Sequence, residues 1–140
     1  MSDLAEKIYE ILKNPQLSGL ATVTEDGKPW VRYVLALTTE DLTIHIATFV
    51  GSRKVSQIEK NPEVHLTCGA TDLENMEAHL QIQGRATLDT SKETRHSIWY
   101  DELSNIFQGP DDPYYGVIQV SPYRIEYYVP GTPEPEVWTN

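Results

Sequence analysis

Residues 47–64 read ATFVGSRKVSQIEKNPEV, and this stretch combines the end of a strand, a turn and the start of a helix. An apolar strand ends at Thr48. After a glycine-containing turn, Ser52, Arg53 and Lys54 open a short helix that an Asn-Pro pair ends. The start of a helix presents free backbone N–H groups and the positive end of the helix dipole, so hydroxyl and cationic side chains there suit a phosphate. The pattern predicts a phosphate-binding turn, with a solvated surface helix as the plainer alternative.

The segments around this stretch alternate between apolar and polar residues, which is typical of an antiparallel sheet. An Asp-Gly turn, EDGK, joins the first two segments and predicts a β-hairpin. Gly84 lies within the fifth segment and predicts a bulge or a close backbone approach. The predicted strands are 17–24, 29–37, 42–48, 64–68, 79–88, 115–121 and 123–129.

Helical spacing of apolar residues predicts three peripheral helices, over residues 3–13, over the crossover segment 52–62, and from Lys92 to about Ile106. The Pro-rich tail 131–140 is expected to be extended. Hairpin connections favour a barrel over a parallel α/β sheet. We therefore expect one domain, residues 1–140, with a six- to seven-stranded antiparallel split β-barrel.

The charge balance excludes several classes of partner. The 140-residue chain has 11 Lys and Arg against 21 Asp and Glu, for a formal net charge of −10, so neither nucleic acid nor an anionic membrane surface is an expected partner. No apolar run approaches the roughly 20 residues that span a bilayer, and the N-terminal segment lacks the apolar core of a signal peptide. A cytoplasmic location is expected. Cys68 is the single cysteine, which excludes an internal disulfide and fits a reducing compartment.

The motif T-x-x-G-S-R-K-x-x-Q-I-x-x-N-P-x-V, residues 48–64, closely resembles the FMN-phosphate segment of the pyridoxamine 5'-phosphate oxidase family. The upstream segment 32–35, Arg-Tyr-Val-Leu, is similar to that family's Arg-x-Val-Leu strand. Downstream, Gly84, Asp112-Pro113 and the segment 120–128 resemble its later strands. The resemblance covers about residues 15–130 and implies an FMN-binding split barrel.

Residue by residue, the resemblance implies that Thr48, Ser52, Arg53 and Lys54 bind the FMN phosphate. It implies that Arg32 reaches the phosphate or the ribityl chain, and that the backbone at Tyr33, Val34, Leu35 and Ala47 lines the isoalloxazine ring.

Three positions depart from that pattern or carry an alternative. His79 stands where the oxidases have a flavin-contacting Gln, and an outward-facing strand histidine is the alternative. Tyr128 stands where the family usually has Trp, so an aromatic wall is kept without the indole N–H. Trp99 resembles the Trp that the general-stress-protein subgroup places near the partner subunit's flavin, and core packing is the alternative.

The sequence ends at Asn140 without the Arg-x-His segment that grips pyridoxal phosphate in the true oxidases, so the resemblance predicts a different substrate. It implies a homodimer with flavin sites at the subunit interface and a small-molecule electron donor or acceptor. A flavin oxidoreductase is the leading hypothesis, with no catalytic side chain and no metal site indicated. A non-enzymatic FMN-binding stress protein and a deazaflavin- or haem-binding barrel remain alternatives.

Overall fold

The computed structural model describes residues 1–70, 72–74 and 76–140, and this part of the chain contains seven strands and three α-helices. The helices are α1 (Asp3–Leu12), α2 (Arg53–Lys60) and α3 (Lys92–Ile98), and a 3-10 helix covers Asp101–Asn105. The strands are β1 (Gln16–Val23), β2 (Pro29–Thr38), β3 (Ile44–Phe49), β4 (Glu63–Cys68), β5 (His79–Asp89), β6 (Tyr115–Tyr128) and β7 (Glu136–Thr139).

Six of the strands form a closed antiparallel barrel. The order across the sheet is β3-β2-β1-β4-β5-β6, and the first half of β6 returns to pair with β3, from Ile44 opposite Val120 to Phe49 opposite Tyr115. The strand β7 pairs with the second half of β6 and lies outside the closed barrel. The pairing confirms the expected split barrel.

The barrel interior is filled by alternate residues of each strand. Leu20, Ile46, Leu66 and Ile82 are among its fully buried side chains, as expected when every second residue of a strand faces inward. The amphipathic helix α1 buries Ala5, Ile8 and Leu12 against the same core. Among the described residues, no helix is long and apolar enough to cross a membrane.

Gly84 lies at the predicted irregularity in β5. The β5–β6 register shifts between Gln83 and Gly84, which confirms the bulge. A Cβ added at Gly84 would lie 2.6 Å from Val120 Cγ1 and 2.9 Å from the Ser121 carbonyl oxygen. The close approach of β6 at this point requires glycine.

Two sequence predictions need correction. The helix predicted from Lys92 to Ile106 is interrupted, because Trp99 adopts an extended backbone (φ −62°, ψ 134°) between α3 and the 3-10 helix. The two strands predicted over 115–121 and 123–129 are the single strand β6, in which Pro122 lies opposite Gly84 at the bulge, where the missing N–H is tolerated. The tail is extended over Glu136–Thr139, as predicted, and there it also pairs with β6 as β7.

Candidate functional site

The end of β3 and the start of α2 bring two hydroxyl groups together. Thr48 is the last inward-facing residue of β3, and Ser52 occupies the N-cap position of α2. The Ser52 side chain makes no capping hydrogen bond, and its Oγ lies 3.2 Å from Thr48 Oγ1. Two hydroxyls therefore sit beside the first turn of α2, which carries Arg53 and Lys54.

Arg32 reaches this end of the barrel from β2. It is paired with Leu20 of β1, and its guanidinium Nη1 donates to Thr22 Oγ1 at 2.7 Å. Its Nη2 donates to Gln57 Oε1 of α2 at 3.1 Å. Burial lowers the pKa of Arg32, and the nearby charge of Arg53 lowers it further. Arg32 thus shares one electrostatic environment with the start of α2.

Arg53 and Lys54 occupy the first turn of α2 in different settings. The Arg53 guanidinium lies over the Trp30 ring, 5.5 Å from its centroid. Lys54 is half-buried, and desolvation lowers its pKa, with a further lowering from the charge of Arg32. Among the described residues, no carboxylate forms an ion pair with Arg32, Arg53 or Lys54. In a chain of net charge −10, three uncompensated cations at one place are suited to an external anion.

We call this set, Arg32, Thr48, Ser52, Arg53 and Lys54, the cradle. Next to it lies a groove of about 240 Å³, open to solvent. Its lining is mostly apolar, with polar side-chain groups on Tyr33, Thr48 and Lys54, and comprises Leu17, Tyr33, Val34, Leu35, Ala47, Thr48, Phe49, Lys54, Leu103, Ile106 and Phe107. The arrangement offers an anion site at one end of an apolar slot.

The structure brings most of the predicted site residues together. Tyr33, Val34, Leu35 and Ala47 line the groove, as do Thr48 and Lys54 of the cradle. Sequence reasoning missed the wall formed by Leu103, Ile106 and Phe107, because no local motif marks it. It also missed Gln57, although this residue lies inside the motif, because its partners are on the β1–β2 hairpin.

Three predicted residues lie away from the groove of the single chain. His79 and Tyr128 are opposite each other on β5 and β6 and stack with ring centroids 5.4 Å apart. Trp99 packs edge-on against Tyr115, at 5.5 Å between centroids. None of the three lines the groove, so a contact with flavin stays a prediction that depends on a second subunit.

Cys68 is not part of the site. It is buried at the end of β4, and burial raises the pKa of its thiol to about 12. The thiolate, which is the reactive form, is therefore scarce near neutral pH.

Comparisons with known proteins agree with this geometry. The family model described as pyridoxamine 5'-phosphate oxidase matches residues 4–128. General stress protein 26 of Bacillus subtilis is 32% identical over 134 residues, covering 95% of this chain and 94% of that protein. The crystal structure of general stress protein 26 from Bacillus anthracis superposes with a TM-score of 0.84 at 26% identity, covering 99% of this chain and 100% of the other. A pyridoxamine 5'-phosphate oxidase-related, FMN-binding protein from Nostoc punctiforme shares the fold, with a TM-score of 0.68 at 16% identity, 86% of this chain and 78% of that one.

Proposed function

Because the chain belongs to the pyridoxamine 5'-phosphate oxidase family, we propose that it is an FMN-binding flavoprotein and an oxidoreductase. The observation that carries the proposal is the cluster of Arg32, Arg53 and Lys54, three cations without a carboxylate partner among the described residues, at the mouth of an apolar groove. The Nostoc punctiforme protein, which shares the fold, is an FMN-binding protein, and this supports the proposal.

The cradle matches the chemistry of a phosphate monoester. A dianionic phosphate accepts hydrogen bonds on three oxygens, and the cradle supplies cationic N–H donors and two hydroxyls beside a helix start. Lys54 lines both the cradle and the groove. A ligand with a phosphate at one end and a planar apolar ring system therefore fits better than a free inorganic anion.

The groove fits the other end of such a ligand. Val34, Leu35 and Ala47 provide apolar surface and backbone groups against which an isoalloxazine ring would lie, and Tyr33 stands at the rim with 80% of its surface exposed. FMN supplies hydride or electron transfer when bound, and the residues of this chain anchor it and exclude water from one side.

We expect FMN to bind at least about tenfold more tightly than riboflavin, because charge-assisted hydrogen bonds contribute roughly 1.5–3 kcal/mol each and the cradle acts only on the phosphate. Quenching of flavin fluorescence on titration into the apo protein measures both affinities. Equal affinities would contradict the assignment of the cradle.

The absorption spectrum of the purified protein distinguishes FMN from the alternative deazaflavin and haem ligands.

The rate at which the reduced flavin is reoxidised distinguishes an oxidoreductase from a protein that only stores flavin. The FMN-loaded protein is reduced chemically and then mixed with candidate acceptors such as quinones or nitro compounds under anaerobic conditions. An oxidoreductase reoxidises faster with one acceptor class than free reduced FMN does. A protein that protects its flavin from every acceptor, and from dioxygen, supports the non-enzymatic alternative.

We also propose that the protein is a two-fold dimer. The outer face of the β1–β2 hairpin exposes Leu17, Val31 and Tyr33, with 60%, 66% and 80% of their surfaces accessible, next to the open side of the groove. An apolar face beside a half-covered site is the kind of surface that a second subunit buries.

A dimer is expected in sedimentation at micromolar concentration, and Val31→Asp is expected to weaken it because a charge would be buried in the interface. Thr87→Asp, a change at an exposed residue on β5, is the control and should leave the dimer intact. A wild-type monomer that retains FMN would overturn the proposal.

A further inference from the structure

Arg32 is held in an unusual way for a partly buried arginine. Buried or half-buried guanidinium groups are ordinarily paired with carboxylates, which compensate the charge. Here every acceptor within the described part of the chain is neutral: the carbonyl oxygens of Leu20 at 3.3 Å and Trp30 at 3.1 Å, Thr22 Oγ1 at 2.7 Å and Gln57 Oε1 at 3.1 Å. The side chain is fixed in place while its positive charge stays uncompensated.

Gln57 is the member of this set that connects separate elements. Its Oε1 accepts from Thr22 Oγ1 of β1 at 2.5 Å and from Arg32 Nη2 of β2, so the amide ties α2 to both strands of the hairpin. Thr22 is only 1% exposed, which protects this hydrogen bond from solvent. The same helix carries Arg53 and Lys54 in its first turn.

We propose that Gln57 is a positioning residue of the phosphate site: its amide oxygen orients Arg32 and fixes the start of α2 against the barrel without cancelling a positive charge. The inference rests on the proposed FMN function and deepens it by assigning a residue that does not itself touch the ligand. A site prepared in this way needs little rearrangement when the anion arrives.

The substitution Gln57→Glu distinguishes the proposed positioning role from a role in packing alone. It has nearly the same shape and keeps an acceptor for Thr22 and Arg32, so a purely structural role would tolerate it. A carboxylate would form an ion pair with Arg32 and reduce the positive charge that the phosphate meets. The apo protein would gain from that ion pair, because burial and the charge of Arg53 already disfavour charged Arg32.

The experiment compares Gln57→Glu and Gln57→Leu with the wild type, and uses Ser56→Asp as the control. Ser56 is the exposed neighbour of Gln57 on α2, and its hydroxyl donates to the Arg53 carbonyl oxygen, so Ser56→Asp adds the same charge without replacing a partner of Arg32. FMN and riboflavin are titrated separately into each apo protein, and thermal unfolding of each is recorded.

Gln57→Glu is expected to weaken FMN binding by at least about tenfold, to leave riboflavin affinity within about twofold, and to unfold no earlier than the wild type. Gln57→Leu loses both hydrogen bonds, so we expect a lower unfolding temperature and again a loss confined to FMN. Ser56→Asp should change FMN affinity by less than about threefold, because its charge is exposed to solvent and screened by salt.

Unchanged FMN affinity in Gln57→Glu would overturn the inference, as would an equal loss for FMN and riboflavin, which would indicate general damage to the site. If Gln57→Glu did not fold, Gln57→Leu would decide by the same comparison of the two flavins. A wild-type protein that does not discriminate FMN from riboflavin would instead overturn the proposed function itself.

Discussion

Lys54→Ala is expected to weaken FMN binding roughly thirtyfold, or about 2 kcal/mol, by removing one charge-assisted contact to a dianionic phosphate. The loss is expected to be large because Lys54 is half-buried at the junction of cradle and groove, where its charge is poorly screened. Calorimetric titration of FMN into the apo variant measures the effect.

The fold of this variant is expected to survive. Desolvation lowers the pKa of Lys54 in the folded protein, which means that its protonated form is less favourable there than in the unfolded chain. Removing an unpaired cation from the start of a helix also removes an unfavourable interaction with the helix dipole. The apo variant should therefore be at least as stable as the wild type.

Lys92→Ala is the matched control. Lys92 is exposed in the first turn of α3, away from the cradle, and its removal should change neither FMN affinity nor stability by more than about 0.5 kcal/mol. If Lys54→Ala bound FMN like the wild type while Lys92→Ala lost affinity, the anion site would lie at α3 and the assignment from the motif would be wrong.

Gly84→Ala is expected to destabilise the protein by about 2–3 kcal/mol, through overpacking at the point where β5 and β6 approach most closely. The added methyl group would lie 2.6 Å from Val120 Cγ1, 2.9 Å from the Ser121 carbonyl oxygen and 3.2 Å from Pro122 Cα. Two of these three atoms belong to the backbone of β6, so relief requires a strand to move. Thermal unfolding of the apo protein should fall by on the order of 10 °C.

Gly109→Ala provides the comparison. Apart from its own chain neighbours, no described residue has a heavy atom within 4 Å of a Cβ added at Gly109, so the unfolding temperature should be unchanged or slightly raised. A Gly84→Ala variant as stable as Gly109→Ala would show that the strands at the bulge can separate without cost.

The local sequence pattern was sufficient to predict the β1–β2 hairpin, the turn from β3 into α2 and the Gly84 bulge, because each depends on neighbouring residues in the chain. The continuity of β6 was not predictable in the same way. Pro122 normally ends a strand, and it is tolerated here only because Gly84 of another strand lies opposite.

The interrupted helix after Lys92 has a similar explanation. Apolar spacing continues through Ile98 and Leu103, which predicts one helix, but the Trp99 ring packs against Tyr115 of β6 and its backbone is extended. A tertiary contact overrides the local preference.

In the candidate site too, some residues could be predicted from local sequence and others depend on the tertiary structure. The cradle residues could be picked out from the sequence because Thr48, Ser52, Arg53 and Lys54 fall within one motif and Arg32 within the β2 segment 32–35. The wall of Leu103, Ile106 and Phe107 was not, since the path of the chain after α3 brings it to the groove. The cation–π contact between Arg53 and Trp30 likewise joins residues from separate elements.

The two sides of the groove are built on different kinds of structure. The cradle stands on barrel strands and on the first turn of α2, whereas the opposite wall stands on the 3-10 helix and the residues just after it, which pair with no strand in the described part of the chain. Insertions or substitutions in the segment 99–109 can therefore reshape the groove without breaking a barrel ladder. The cradle and the wall that faces it are therefore mechanically separable, so the shape of the groove can change between related proteins while the cluster of cations at its mouth is kept.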